Sequence, residues 1–374
     1  MRKVWLFATF LLLLRPVFSQ TLQGDQAAQS LQPGFDAREY IDMLEITAVL
    51  GDTVPLHSHI PAPINYTRQY RSPELGLKNR WDMWYRKDNQ LAVISIRGTV
   101  NELPSWLENF YAAMVPANGS LQLNDSTRFD YQLAADDKAM VHVGWMVGLG
   151  YMAPTMLAQI RLARQKGIRE FIIIGHSQGG ALAFLTRSYL YYLAQKGELP
   201  RDIVFKTYCS AAPKPGNLFY AYDFDFITRN GWAFTVVNAA DWVPETPFSI
   251  QTITDFNPVN PFINIQGALA KQPWLVRLYL KGKYNKMNRA TRKAQKCFKS
   301  ILGDMVYKQV KKTLSQLRAP RYMAGNNYQR AGIPIVLQPD SAYYRQFPNN
   351  PEKIFQHHFF EPYLLLTRQY YGQP

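Results

Sequence analysis

The sequence predicts an α/β fold with a mostly parallel central sheet, on three observations. Several short apolar runs lack polar alternation and are rich in β-branched residues, as buried strands are. Stretches of helical length and composition separate these runs, which favours a parallel sheet covered on both faces. The 374 residues are 47% hydrophobic and 18% charged, a composition that excludes a disordered chain, a collagen-like repeat and a disulfide-stapled mini-domain.

The predicted strands and helices follow one another along the chain. We expect strands at residues 91–96, 170–175, 202–208, 233–238 and 332–337. We expect helices, where apolar residues recur at helical spacing or small and aliphatic residues dominate, at residues 35–46, 145–163 and 180–194.

The first 19 residues are predicted to be a secretory signal peptide and no part of the fold. Two cations precede an apolar run, and residues 17–19 form a small-residue cleavage site. Arg15 interrupts the run, which is too short to span a bilayer comfortably. We therefore expect export to a secreted or periplasmic location after cleavage near Ser19, and a single domain at residues 20–374.

One segment breaks the α/β pattern and carries the positive charge of the chain. Residues 271–318 contain 14 Lys or Arg and one acid, Asp304, so their formal net charge is +13. Apolar residues recur there at helical spacing, which predicts a basic amphipathic helix or helix pair inserted at about 265–320, before the last strand. The expected apolar face consists of Met287, Ala290, Ala294, Phe298, Ile301, Met305, Val310, Leu314 and Leu317.

The cationic face of this insertion has two interpretations. It is either the solvated surface of a helix packed on the core, or a site of peripheral contact with an anionic membrane or polymer. Nucleic acid is not expected, because export is predicted and the segment lacks a recognised base-reading module.

Cysteine and metal chemistry are not expected to contribute. Cys209 and Cys297 are the two cysteines, and we expect structural thiols, with a single disulfide as the alternative. No cofactor or metal is expected, since no His, Cys and carboxylate cluster has ligand spacing and His57 and His59 form an isolated pair.

The sharpest motif is Gly-x-Ser-x-Gly, with Ser177 between Gly175 and Gly179. It follows an apolar strand and precedes a helix-forming run, which is the context of a nucleophile elbow. The two glycines relieve the crowding of the tight turn and open the approach to the serine hydroxyl. Ser177 is therefore the predicted nucleophile, and a glycine-rich turn is the structural alternative.

A serine nucleophile needs a base and an orienting acid. In proteins with a Gly-x-Ser-x-Gly nucleophile elbow, the three residues occur along the chain in the order Ser, Asp or Glu, His. Downstream of Ser177 only His357 and His358 are histidines. Asp241 lies just past a predicted buried strand and has the strongest claim among the acids, with a turn-capping role as its alternative. The claims of three loop aspartates are weaker: Asp223, Asp225 and Asp255.

An oxyanion hole needs donors placed where the negative charge develops. The backbone N–H of Gln178, next after the nucleophile, is one candidate. The loop after an early strand supplies the other at Thr99, which offers an N–H and a hydroxyl, beside Gly98, which allows close approach.

Further motifs lie before and after the Ser177 turn in the sequence. They are Ile96-Arg97-Gly98-Thr99 with Trp106-Leu107, Val141-His142-Val143-Gly144-Trp145, Gly175 to Ala181, Pro213 with Gly216-Asn217, Asn238 with Asp241, Val243 and Pro244, and His358 with Tyr363-Leu364. In this order they resemble the class 3 lipase family, the fungal triacylglycerol lipase type of α/β hydrolase, over about residues 85–250 and 320–370.

The resemblance implies an α/β-hydrolase fold with Ser177, Asp241 and His358 as catalytic triad, and Thr99 with Gln178 as oxyanion donors. His358 is singled out because it stands five residues before Tyr363, the family's spacing. Cys209 departs from the family's usual Gly. The long separation of Asp241 from His358 also departs from it, and leaves substrate preference and lid arrangement open.

We therefore expect an exported serine lipase or esterase that hydrolyses carboxylic esters of lipids, acylglycerols in the first place, through an acyl-enzyme. Its alternatives within the class are a phospholipase A1 and a soluble-ester carboxylesterase. An alternative from another class is an inactive hydrolase scaffold whose basic segment at residues 271–318 binds anionic surfaces.

Overall fold

The computed structural model describes residues 31–50, 60–262, 267 and 269–372. The predicted signal peptide with its cleavage site, and the histidine pair at positions 57 and 59, lie outside the described residues. Within the described ranges, no helix is both long and apolar enough to cross a bilayer.

The strands and helices are numbered here in chain order. The strands are β1 Tyr66–Arg71, β2 Trp81–Arg86, β3 Leu91–Ile96, β4 Met114–Pro116, β5 Asn118–Gln122, β6 Arg128–Gln132, β7 Met140–His142, β8 Glu170–His176, β9 Val204–Ser210, β10 Gly216–Asn217, β11 Ala233–Asn238, β12 Tyr328–Gln329 and β13 Ile333–Leu337. The α-helices are α1 Ala37–Leu50, α2 Leu103–Phe110, α3 Val143–Gln165, α4 Gln178–Gln195, α5 Leu218–Ile227, α6 Trp274–Lys299, α7 Val306–Thr313, α8 Ser341–Gln346 and α9 Phe360–Tyr371.

The main sheet has seven strands in the order β1-β2-β3-β8-β9-β11-β13. The five strands from β3 to β13 pair in parallel, and β1 and β2 add an antiparallel edge. The predicted α/β-hydrolase architecture with a mostly parallel sheet is confirmed. The five predicted strands lie within two residues of their expected bounds, and β1 and β2 were not predicted.

Each face of the sheet is covered by its own hydrophobic cluster, because successive strand side chains point to opposite sides. In β8, Phe171 and Ile173 belong to the cluster that includes residues of α3 and α4. Ile172 and Ile174 belong to the other cluster, with residues of α1 and α9. Asp36 begins α1, since its carboxylate accepts the backbone N–H groups of the first turn. These two clusters hold the parallel strands, and therefore their carboxyl ends, in place from both faces of the sheet.

The basic insertion forms a helical arm whose second half packs on the body. A π-helical turn at Ser300–Met305 joins α6 to α7. Val310 and Leu317 are buried in the core cluster. Helices were predicted here, but the predicted apolar face is wrong at four positions: Ala290 is exposed, and Met287, Ile301 and Met305 are 63%, 45% and 57% exposed. The regular spacing misplaces the last two because the π-helical turn shifts the phase of the helix.

The two cysteines are unpaired. Cys209 is buried in β9, whereas Cys297 is exposed on α6. The expectation of a structural thiol therefore holds for Cys209 and is wrong for Cys297.

Candidate active site

Ser177 lies at the tip of a tight turn between β8 and α4. Its backbone is in the left-handed region, with φ +61° and ψ −130°. A residue other than Gly adopts such angles only when the surrounding structure enforces them. A Cβ at Gly175 would collide with the carbonyl of Gly179, and a Cβ at Gly179 would collide with the carbonyl of Ile96. Both glycines are thus required by the packing of the turn, as the motif predicts.

The strand register brings the Arg97–Thr99 loop beside this turn. β3 and β8 run in parallel with Ile96 opposite Gly175, so the chain leaves both strands at the same edge of the sheet. Asp241 follows β11, two strands farther along the same edge. Ligand and reaction sites of open α/β sheets lie at this carboxyl edge.

Asp241 and His358 are in direct contact. Nδ1 of His358 lies 2.7 Å from Oδ2 of Asp241, and both side chains are buried. The same Oδ2 accepts the hydroxyl of Tyr363 at 2.8 Å, and Oδ1 accepts the backbone N–H of Val243 at 3.0 Å. The carboxylate is therefore held from both sides, and Nε2 of His358 is left to face another partner.

His357 takes a different direction. Its Nδ1 lies 2.8 Å from the hydroxyl of Tyr343, and its Nε2 lies 2.9 Å from Oδ1 of Asn349. Partial burial lowers the pKa of its imidazole. Both ring nitrogens of His357 are therefore occupied away from Asp241.

His176 connects the serine turn to the loop that carries His358. Its Nε2 donates to the backbone carbonyl of His358 at 2.7 Å, so its Nδ1 accepts from the hydroxyl of Ser210 at 3.0 Å. The rings of His176 and His358 are 5.0 Å apart between centroids. In the part of the chain described, no hydrogen bond joins Oγ of Ser177 to His358. Such contacts often form only with substrate bound.

The predicted oxyanion residues Thr99 and Gln178 are hydrogen-bonded to each other. The Thr99 hydroxyl donates to Oε1 of Gln178 at 2.9 Å and accepts from Nδ2 of Asn109 at 2.8 Å. Oε1 of Gln178 also accepts from Asn109 at 3.1 Å and from Ser105 at 3.4 Å. The single proton of the Thr99 hydroxyl is thus engaged by Gln178, and the hydroxyl has to rotate before it can donate to a substrate oxygen.

A buried carboxyl lies behind this network. Oε2 of Glu108 accepts from Nδ2 of Asn79 at 2.6 Å, and Oδ1 of Asn79 accepts from Nε2 of Gln178 at 3.4 Å. Burial raises the pKa of Glu108 to about 8, so its carboxyl carries a proton at neutral pH. The hydrogen bonds from Glu108 through Asn79 therefore hold the Gln178 side chain from the side opposite Thr99.

Aromatic side chains form a rim around His358. The ring of Phe355 lies 6.0 Å from that of His358, 5.9 Å from that of Trp106 and 5.4 Å from that of Trp242. Trp242 is 41% exposed and Ile354, next to Phe355, is 58% exposed. Here the site presents an apolar surface rather than a charged one.

The three less favoured aspartates are occupied elsewhere. Asp223 accepts from the hydroxyl of Tyr192, Asp225 accepts from the backbone of Gly332, and Asp255 closes a capping box with Thr252. Within the described ranges, no three His, Cys, Asp or Glu side chains gather as a metal site would require.

Sequence reasoning missed the supporting residues of the site. It did not identify Tyr363 as a partner of Asp241, nor the roles of the Gln178 side chain, Asn109 and Glu108 in one network. The only available signal was the presence of Asn109 and Glu108 on the helix after the Thr99 loop.

Comparisons with known proteins show what this chain is similar to. The family described as "Lipase (class 3)" matches residues 93–251, which confirms the predicted resemblance. A protein named secreted mono- and diacylglycerol lipase 1, from Fusarium solani, is 28% identical over 238 residues, covering 59% of this chain and 67% of its own.

Solved structures of fungal lipases are more distant in sequence. A fungal lipase–inhibitor complex is 18% identical, covers 56% of this chain and 74% of its own, and has a TM-score of 0.42. A triacylglycerol lipase from Penicillium expansum is 17% identical, covers 57% of this chain and 74% of its own, and has a TM-score of 0.39.

Proposed function

From the premise that this chain is a lipolytic carboxylic-ester hydrolase of the class 3 lipase type, we propose that Ser177, His358 and Asp241 are its catalytic triad. The observation that carries the proposal is the 2.7 Å contact between His358 and Asp241, formed at the sheet edge where the Ser177 turn also lies. This contact fixes the imidazole with Nε2 available as base.

In the proposed reaction, Oγ of Ser177 attacks the ester carbonyl carbon while Nε2 of His358 takes its proton. Asp241 stabilises the imidazolium without itself accepting the proton. The tetrahedral intermediate expels the alcohol, which takes the proton from His358, and leaves an acyl-enzyme. Water, deprotonated by His358, then attacks the acyl-enzyme and releases the carboxylic acid.

The backbone N–H groups of Gln178 and Thr99 are the proposed oxyanion donors. Among the described residues neither N–H has a hydrogen-bond partner, whereas the Thr99 hydroxyl first has to leave Oε1 of Gln178. Donors fixed before the reaction stabilise the developing charge without a reorganisation cost.

The proposed substrates are lipid esters, acylglycerols in the first place. The apolar rim of Trp106, Trp242 and Phe355 supports this choice, because aromatic side chains bury acyl chains well. The name of the Fusarium solani relative points to mono- and diacylglycerols and to secretion. We propose the same export for this chain, with cleavage near Ser19. The proposed domain organisation is one catalytic domain at residues 20–374 with the basic insertion.

Peripheral contact with an anionic membrane through residues 271–318 is part of the proposal. Their formal net charge of +13 supports it, because cationic segments are attracted to anionic lipid surfaces.

A substrate panel tests the proposed function. The native protein and Ser177→Ala are compared on a soluble short-chain ester, on mono-, di- and triacylglycerols and on a phospholipid. We expect hydrolysis of the short-chain ester and of acylglycerols, abolished in the variant. Preference for the sn-1 ester of phospholipids would instead identify a phospholipase A1, and hydrolysis of soluble esters alone a carboxylesterase. Absence of all hydrolysis would favour a silent scaffold.

A further inference from the structure

The first turns of α6 expose apolar side chains on every side. Trp274, Leu275, Leu278 and Tyr279 are each between 60% and 65% exposed. A Cβ built at Gly282 would meet no atom within 4 Å. This end of the helix therefore projects from the described part of the chain, and its large apolar residues are those of an interaction surface.

The rest of α6 has an inner and an outer side. The less exposed positions of the helix are 284, 288, 291, 294, 295, 298 and 299, and this spacing puts them on one side. On this inner side Gln295 donates to the carbonyl of Ala324 at 3.2 Å, and the Phe298 ring stacks on that of Phe248. The inner side thus rests on the body.

The outer face is defined by the residues on the opposite side, which recur at the same spacing. They are Leu275, Leu278, Tyr279, Gly282, Lys286, Arg289, Lys293 and Lys296. This face is apolar in its first two turns and cationic in the following turns. At 1.5 Å per residue it extends for roughly 30 Å.

Among the residues that the structure describes, the cations of the insertion have no carboxylate partner. Of the 14 Lys and Arg at residues 271–318, 13 are exposed and Lys299 is half-buried. In the described ranges no carboxylate lies within 4 Å of any of them. Their charge is available to an external anionic surface.

We propose that the outer face of α6 docks flat on an anionic lipid bilayer. Leu275 and Leu278 of this face, with the adjacent Trp274 of the first turn, enter the boundary between headgroups and acyl chains. Lys286, Arg289, Lys293 and Lys296 contact the anionic headgroups. This two-part composition is that of a helix lying in a membrane interface. The inference deepens the proposed function and rests on it, because the docked surface is the one that holds the lipid substrate.

The arm is packed next to the element that carries part of the aromatic rim. The backbone N–H of Ala113, just after α2, donates to the carbonyl of Leu302 at 3.3 Å, and the rings of Tyr111 and Tyr307 lie 6.3 Å apart. Trp106 of the rim belongs to α2. Docking through α6 therefore anchors the enzyme through an arm that adjoins α2.

Vesicle binding tests the proposal in a Ser177→Ala background, so that lipid is not consumed. The cation variant combines Lys286→Gln, Arg289→Gln, Lys293→Gln and Lys296→Gln, and the wedge variant combines Trp274→Ala, Leu275→Ala and Leu278→Ala. A control variant of equal net charge carries Lys87→Gln, Lys166→Gln, Lys196→Gln and Arg201→Gln, all at exposed positions outside the arm. Binding is measured by co-flotation with phosphatidylcholine vesicles, with and without phosphatidylglycerol.

We expect the unaltered outer face to bind anionic vesicles tightly at low salt and neutral vesicles weakly. The cation variant should lose about 100-fold in affinity at low salt, and the wedge variant about tenfold at all salt concentrations. The control variant should lose much less than the cation variant. As a second measurement, the exposed thiol of Cys297 on α6 is labelled with an environment-sensitive dye. We expect the emission of the dye to shift to the blue when anionic vesicles are added, and not when neutral vesicles are added.

Equal affinity for neutral and anionic vesicles, or equal losses in the cation and control variants, would overturn the docking proposal. The same substitutions in the native Ser177 background, assayed on a soluble short-chain ester, keep the two proposals apart. Hydrolysis of that ester with no selective vesicle binding refutes docking alone, whereas vesicle binding without hydrolysis refutes the proposed function alone.

Discussion

His358 and Asp241, 117 positions apart in the chain, meet through a 2.7 Å contact between Nδ1 and Oδ2. The adjacent His357 shares neither the contact nor the direction, since its ring nitrogens face Tyr343 and Asn349. One step along the chain thus separates an imidazole oriented by a carboxylate from an imidazole held by neutral groups.

We expect His358→Ala to lower ester hydrolysis at least about a thousandfold, because the base is lost. His357→Ala serves as the matched control and should stay within about threefold of the native rate, since no contact joins its ring to Asp241. The measurement is kcat/KM on a soluble short-chain ester. The reverse order of effects would move the base to His357.

The Gln178 side chain is predicted to position the oxyanion loop. Gln178→Leu keeps the backbone donor but removes the acceptor shared by Thr99, Ser105 and Asn109. We expect kcat to fall about tenfold with KM nearly unchanged, because the loop contacts the developing charge rather than the acyl chain.

A double-mutant cycle with Thr99→Val checks that this effect acts through Thr99. Residues in direct contact do not contribute additively, so the double variant should lose less than the product of the two single losses. Independent, multiplicative effects on kcat would show that Gln178 does not act through the Thr99 hydroxyl.

Glu108 is predicted to make stability depend on pH. Its pKa is raised by burial from an ordinary value of 4.5 to about 8 in the folded protein, so the folded state binds the proton more tightly than the unfolded state. The stabilisation is complete below pH 4.5 and is lost as the pH rises through 8. At about 1.4 kcal/mol per pKa unit, the loss is at most about 5 kcal/mol.

Glu108→Gln has no proton to lose and should not show this decline. The free energy of unfolding of the variant, measured by denaturant titration from acidic to mildly alkaline pH, should gain on that of the native protein as pH rises. Glu352→Gln, at an exposed position, is the control and should follow the native protein. A constant difference between Glu108→Gln and the native protein would show that the pKa of Glu108 is the same in the folded and unfolded states.

The sequence predicts those parts of the fold that are encoded locally. β3 and β11 lie at the expected residues because uninterrupted apolar, β-branched runs have few alternatives to a buried strand. β1 was missed because it is an edge strand with exposed polar residues such as Arg68 and Gln69. The exposure of Met287 on α6 was not predicted either, because apolar spacing alone does not show which side of a helix packs on the core.

The Ser177 turn was predictable for the same local reason, since its glycines are required by the turn itself. The contacts that hold the site are not local. Tyr363 reaches Asp241, and Gln178 reaches Asn79, across 122 and 99 positions. Such pairs depend on the assembled sheet, and only the family spacing indicated which histidine would face Asp241.

Covalent trapping of Ser177 tests the central claim most directly. A p-nitrophenyl alkylphosphonate transfers its phosphonyl group to an activated serine hydroxyl and releases p-nitrophenolate. The added mass is then located by peptide mass spectrometry of the native protein and of Ser177→Ala. We predict a single adduct per chain, on the peptide that contains Ser177, and loss of activity in proportion to labelling. In Ser177→Ala we predict no adduct and a rate of hydrolysis at least about a thousandfold below that of the native protein. An adduct on another residue, or about a tenth of the native activity in Ser177→Ala, would contradict the account.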